Sequence, residues 1–182
     1  MRRYTMRIHP YRARDLMTLL QLQQFASKID GNHESITELE AWLDNPDMDA
    51  EANTFVITDD DDELNQWGQA GTLDGVDGEI VGYTTLRFSQ DEQGYHFLCR
   101  GSVHPEFRRQ NAGRLLLVGA RNRARLLASE FEFEAEQEGI PIYFEALLPV
   151  LDAASPRLAE KFEMQSVEGV IQDGMQLYRA TI

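Results

Sequence analysis

The sequence predicts an α/β (α+β) domain built on one mixed sheet with helices packed against it. Two observations carry this. Runs rich in β-branched and aromatic residues alternate with stretches whose apolar residues recur at helical spacing. Their order, strand, two helices, three strands, helix, strand, helix and one or two closing strands, is neither all-helical nor a strict strand–helix alternation. At 182 residues with a 42% hydrophobic share, the chain is long enough for a single core, and we expect one domain over residues 1–182.

Tyr4 to Ile8 reads as a short strand and Pro10 to Asp15 as a turn. Leu19, Leu22, Phe25, Ala26 and Ile29 fall at helical spacing, and Gly31 supplies a stop. Ser35 with Glu38 three residues on forms a capping box. Ile36, Leu39 and Leu43 follow as the stripe of a second helix, which Asn45-Pro46 ends. Thr54 to Thr58 and Glu79 to Phe88 read as strands, joined by an acidic surface loop over 59–78 that carries four consecutive aspartates. That run lacks the alternating ligand pattern of a calcium loop, so a solvated charge run is its simpler reading. Tyr95 to Val103 is another strand. From Ala112 a helix presents Leu115, Leu116, Gly119, Ala120 and Leu127, and its end merges into an acidic stretch, Glu130 to Glu138. Ile140 to Leu148 is short enough for a buried strand, Ser155-Pro156 opens a last helix, and Met175 to Ile182 closes the sheet.

Composition narrows the function. Thirty-one acids against seventeen bases give −14, which repels nucleic acid. No apolar run reaches the roughly 20 residues a bilayer requires, and no signal-like leader is seen, so a cytoplasmic, membrane-free setting is expected. Cys99 is the single cysteine, which rules out an intrachain disulfide or a multi-cysteine zinc site. The four histidines show no metal-ligand spacing, so no metal is expected. The charge is uneven, however. Between Arg100 and Ala128 seven arginines face one acid, Glu106, so the other residues sum to −20. A basic island in an acidic chain is a candidate anion site; alternatively its arginines pair with the acids of Ser129 to Glu138.

Val103-His104-Pro105-Glu106-Phe107-Arg108-Arg109-Gln110-Asn111-Ala112-Gly113-Arg114 leaves a strand, turns and opens a helix. Turn-tolerant residues there let backbone N–H groups face an anion at a helix start, with guanidinium groups beside them. It is not a P-loop, since no Gly-Lys-Ser/Thr follows, and it lacks the dinucleotide glycine pattern.

This segment resembles the signature of the GCN5-related N-acetyltransferases, V-x-P-x-x-R/Q-x-x-G-x-G/A, through Val103, Pro105, Arg108 and Gly113, with Asn111 at the first glycine. The resemblance implies a mostly antiparallel sheet of six to seven strands flanked by about four helices, with strands 4 and 5 splayed. It implies acetyl-CoA as co-substrate, its pantetheine near Ser102 and Val103 and its pyrophosphate on Arg109, Gln110, Asn111, Ala112, Gly113 and Arg114, with Arg108 a further cofactor-binding residue. A bulge at Gly101 would turn an N–H toward the thioester. The acceptor would be a primary amine of a small molecule or peptide, acetylated by direct attack through a tetrahedral intermediate. Glu145 is the expected base. Because Ala159 stands where the family commonly has a tyrosine, the thiolate is expected to take its proton from another group, with Tyr143 the candidate, or from solvent. Glu163-Met164 replaces the family's glycine-aromatic pair. Family members often form homodimers. The rival reading is a degenerate, non-catalytic acyl-CoA-binding lobe with a regulatory or structural role. Cys99 with His96 or His104 could be drawn as nucleophile and base, although a lone strand cysteine is more simply buried filler.

Overall fold

The structure, a computed structural model, describes residues 5–31, 35–60 and 78–182. Its seven strands are β1 (Thr5–Pro10), β2 (Thr54–Asp60), β3 (Glu79–Asp91), β4 (Gly94–Val103), β5 (Ile142–Pro149), β6 (Gln165–Gln172) and β7 (Met175–Thr181). They form one sheet in the order β1-β2-β3-β4-β5-β7-β6. Every neighbouring pair is antiparallel except β4 with β5. Six α-helices are described: α1 (Leu16–Asp30), α2 (Ile36–Leu43), α3 (Ala50–Asn53), α4 (Ala112–Ala128), α5 (Glu132–Glu138) and α6 (Ser155–Glu160). Most of the acidic loop expected between β2 and β3 lies outside the described residues. No helix among the described residues is long and apolar enough to cross a membrane.

The pleat sorts the strand residues between two cores. Tyr95, Phe97 and Cys99 of β4 and Phe144 and Ala146 of β5 face the helix α4, whose Ala120, Ala124 and Ala128 are small enough to let it lie close to the sheet. On the opposite face Leu19, Leu20 and Leu22 of α1 and Leu39 and Leu43 of α2 pack with Val56 and Tyr83.

Helix α1 departs from its expected stripe. Phe25 and Ile29 are exposed, at 45% and 47%, while Gln23 and Asp30 are buried. The polar pair goes inward because each finds partners there. The Oε1 of Gln23 accepts from the Tyr83 and Ser102 hydroxyls, both at 2.7 Å. Asp30 receives both arms of the Arg108 guanidinium at 2.7 Å. Phe25 instead stacks on His104, with ring centroids 4.9 Å apart. The expected stop of α1 holds, with Gly31 at φ 69°, and at the start of α2 the Ser35 half of the expected capping box forms, its hydroxyl accepting from the Glu38 N–H at 3.1 Å.

Candidate functional site

The parallel pairing of β4 and β5 runs from Tyr95↔Ile142 to Cys99↔Ala146 and stops. Beyond it β4 continues to Val103 along β3, and β5 continues to Pro149 along β7. The two strands therefore part, and a cavity of about 570 Å³ opens between them, walled by Cys99, Gly101, Ala146, Leu148 and the first turns of α4. Antiparallel alternation fixes which main-chain groups look into this gap. His104 donates to the Val81 carbonyl, and the Arg100 carbonyl accepts from the Thr85 hydroxyl, so residues 100, 102 and 104 face β3. The N–H groups of Gly101 and Val103 then face the gap, where β5 supplies them no partner.

The bulge expected at Gly101 is absent: the β3–β4 register is unbroken from Asp91↔Gly94 to Gly82↔Val103. Glycine is required here for another reason. A Cβ would collide with the Tyr83 carbonyl oxygen and come within 2.7 Å of the Thr84 Cα.

The loop into α4 is held in an unusual backbone shape. Arg109 has φ 62° and Asn111 has φ 69°, both left-handed. Asn tolerates that region better than any residue but Gly, so it fits the position where the signature has its first glycine. Among the described residues, the amides of Arg109 through Arg114 donate to no main-chain carbonyl outside α4, and the first turn of a helix has no carbonyl behind it to accept them. These amides, the helix dipole and the nearby guanidinium groups make a cradle suited to an anion. Arg109, Asn111, Ala112, Gly113 and Arg114 all line the cavity, as do Ser102, Val103 and Arg108. Gln110 does not, and its side-chain amide donates to the Glu106 carbonyl at 3.1 Å.

Two groups singled out from the sequence serve elsewhere. The Arg108 fork is spent on Asp30, and its Nε donates to the Val103 carbonyl at 3.0 Å. It clamps the end of α1 to the loop rather than offering a charge to the cavity. Ser102 likewise turns its backbone to β3 and its hydroxyl to Gln23.

The expected acid–base pair lies apart from this cavity. Glu145 and Tyr143 are absent from the cavity wall. The pleat turns both to the face opposite α4, and the Glu145 carboxylate is held by Arg179 Nε at 2.6 Å and lies 3.2 Å from His96 Nδ1. Arg179 in turn sits over the Tyr143 ring at 4.3 Å, and His96 reaches on to Asp91 at 3.0 Å. Cys99 lines the cavity, but burial pushes its thiol far above the ordinary range, so it stays protonated.

Arg157 and Lys161, on and just after α6, also line the cavity, a placement the sequence does not signal. Ser155-Pro156 marked the helix start, but nothing in the spacing said that this helix would meet α4. Two further arginines of the basic island find partners other than the acids of 129–138 among the described residues. Arg121 approaches Glu163 at 3.8 Å, and Arg123 bonds Asn53 at 2.9 Å and lies 3.8 Å from Asp49.

A search among curated proteins finds no sequence match. Solved structures share the fold at low identity. A GCN5-related N-acetyltransferase from Kribbella flavida matches with TM-score 0.61 and 11% identity over 97% of this chain and 98% of its own. One from Sphaerobacter thermophilus matches with TM-score 0.59 and 14% identity over 89% of this chain but only 44% of its own, so this chain spans less than half of that protein. The Salmonella typhimurium protein yncA, solved with its cofactor acetyl-CoA, matches with TM-score 0.57 and 15% identity over 97% and 92% of the two chains. The model of the acetyltransferase (GNAT) family matches residues 18–136, a span reaching from α1 through β4 and the cradle into α5. With more than half its length covered by that match, the chain belongs to the GNAT acetyltransferase family.

Proposed function

We propose that the chain transfers an acetyl group from acetyl-CoA to a primary amine of a small molecule or peptide. The observation that carries this is the gap beyond Cys99 and Ala146, closed at one end by unspent amides and cations. Its volume of about 570 Å³ has room for a pantetheine arm, and the cradle suits a pyrophosphate on the amides of 109–114 with Arg109 and Arg114. The N–H groups of Gly101 and Val103 would bond the arm along β4 and stand ready for the oxygen of a tetrahedral intermediate. The amine nitrogen attacks the thioester carbonyl, a C–N bond forms and the C–S bond breaks. The amine proton goes to solvent and the departing thiolate is protonated from solvent. Most of the acceleration then comes from alignment of the two reactants, with no covalent enzyme intermediate.

One observation favours the second reading, a non-catalytic acyl-CoA-binding lobe. The hydroxyls on the cavity wall are already donating: Tyr83 and Ser102 to Gln23, and Ser155 to the Pro149 carbonyl at 2.7 Å. Ala159 is buried and brings no acid. Two measurements separate the readings. Acetyl-CoA raises the melting temperature under both. Thiol release with a panel of primary amines occurs only under the first. No thermal shift at saturating acetyl-CoA defeats both.

A further inference from the structure

Four cations face the cavity without an ionic partner. Arg109 and Arg114 belong to the cradle, and Arg157 and Lys161 to the segment of α6. Among the described residues none of the four makes an ion pair, although acids outnumber bases by 31 to 17. Arg108, Arg121, Arg123 and Arg179 do have carboxylates within reach. The carboxylates on the cavity wall are engaged, since Asp30 holds Arg108 and Asp152 accepts from the Ala154 N–H at 2.9 Å. Four like charges on one rim repel one another unless an anion joins them.

The two pairs adjoin. A Cβ built on Gly113 would lie 3.4 Å from Leu158 Cδ2, so the first turn of α4 touches the middle of α6. Arg157 and Lys161 are four residues apart, the spacing that keeps side chains on one helical face, and both line the cavity together with Leu158. The α6 cations therefore flank the cradle.

Charge then decides what they are for. A pyrophosphate diester brings two negative charges, which Arg109, Arg114 and the main-chain amides answer. Arg157 and Lys161 are left over, and two cations suit a phosphomonoester, which carries about −1.5 to −2 at pH 7. On the donor proposed above, that group is the 3′-phosphate. We infer that Arg157 and Lys161 form a second anion subsite that takes the 3′-phosphate of coenzyme A, so that the chain selects the phosphorylated nucleotide over its 3′-dephospho form. This rests on the reading of the cavity as a coenzyme A site.

The test is calorimetric titration of the full chain with coenzyme A and with 3′-dephospho-coenzyme A. The variants are Arg157→Gln/Lys161→Gln and, separately, Arg109→Gln. Both α6 side chains are exposed, so their replacement leaves the fold intact, which a melting curve checks. The unsubstituted chain should bind coenzyme A at least about tenfold more tightly than the dephospho form. In the α6 double variant the preference should vanish, with the dephospho affinity unchanged. In Arg109→Gln both nucleotides should weaken and the preference should persist. The inference is overturned if the unsubstituted chain binds both nucleotides equally, if the α6 variant keeps the preference, or if only Arg109→Gln removes it; in each case the coenzyme A reading survives. Failure of both nucleotides to bind the unsubstituted chain overturns that reading and the inference with it.

Discussion

Gln23 is fully buried in α1, where a helical stripe would place an apolar side chain, and it earns that position by accepting two hydroxyls that would otherwise be orphaned. The same logic governs Asp30 with Arg108 and Glu145 with Arg179 and His96: a charge taken from water must be paired. Because Glu145 is 4% exposed, Glu145→Gln should leave the Arg179 charge short of its partner and cost about 3 kcal/mol of unfolding free energy, read from denaturant titration. A catalytic base would behave otherwise, with an intact unfolding curve and a fall in kcat. Cys99 makes a complementary case. Burial raises its thiol well above the ordinary value, so at neutral pH it is held as the thiol rather than the nucleophilic thiolate. Cys99→Ala should keep thiol release from acetyl-CoA within about twofold; loss of turnover at unchanged cofactor affinity would return the cysteine to the chemistry.

Helix ends show where sequence reading succeeds at the scale of an element. The Ser35 cap, the Gly31 stop and the turn into α4 were legible because each is a local choice of residue with a local geometric cause. The strand β6 was not clearly legible: it lies almost wholly exposed, with Gly169 at φ 74° and a register shift between Ser166 and Ile171, so no core face imposes alternation on it. Glu163 stands where the family's pattern has glycine, and the backbone shows what the departure costs, since it sits at φ 59° just after α6. Its side chain is exposed and its approach to Arg121 is long at 3.8 Å, so little compensates. Glu163→Gly should therefore stabilise the chain by about 0.5–1 kcal/mol, seen as a rise in melting temperature, and a fall would mean that the Arg121 contact matters more than the strain. At the other end of the same pair of helices, Gly113 has room for a Cβ at 3.4 Å from Leu158. Gly113→Ala should fold and bind coenzyme A, whereas Gly113→Asp should fold and lose binding by about a hundredfold or more, because its carboxylate sits among the phosphates. Equal affinity in the two variants would remove the pyrophosphate from this turn.

Across the whole molecule one topological decision creates the site. Five of the six neighbouring strand pairs are antiparallel, but the one parallel pair is anchored only over Tyr95–Cys99, and beyond it β4 and β5 keep to different partners, β3 and β7. The order of elements was readable from the sequence because hydrophobic period reports local structure. The functional use of each polar residue was not, because Arg108, Glu145, Arg157 and Lys161 take their roles from neighbours 30 to 80 residues away or from a helix contact that no spacing encodes. The parting of the strands itself has a measurable signature. Phe97 and Cys99 lie within the parallel pairing and their amides should exchange slowly with solvent deuterium. Gly101 and Val103 face the gap from the same strand, so their amides should exchange orders of magnitude faster in the free chain despite equal distance from the strand's β3 edge. Acetyl-CoA should protect these two amides and those of residues 109–114 together, as one binding event. If Gly101 and Val103 are already slow without ligand, the strands close on each other in solution and the gap is not an entry for pantetheine; if they stay fast at saturating acetyl-CoA, the cofactor does not run along β4.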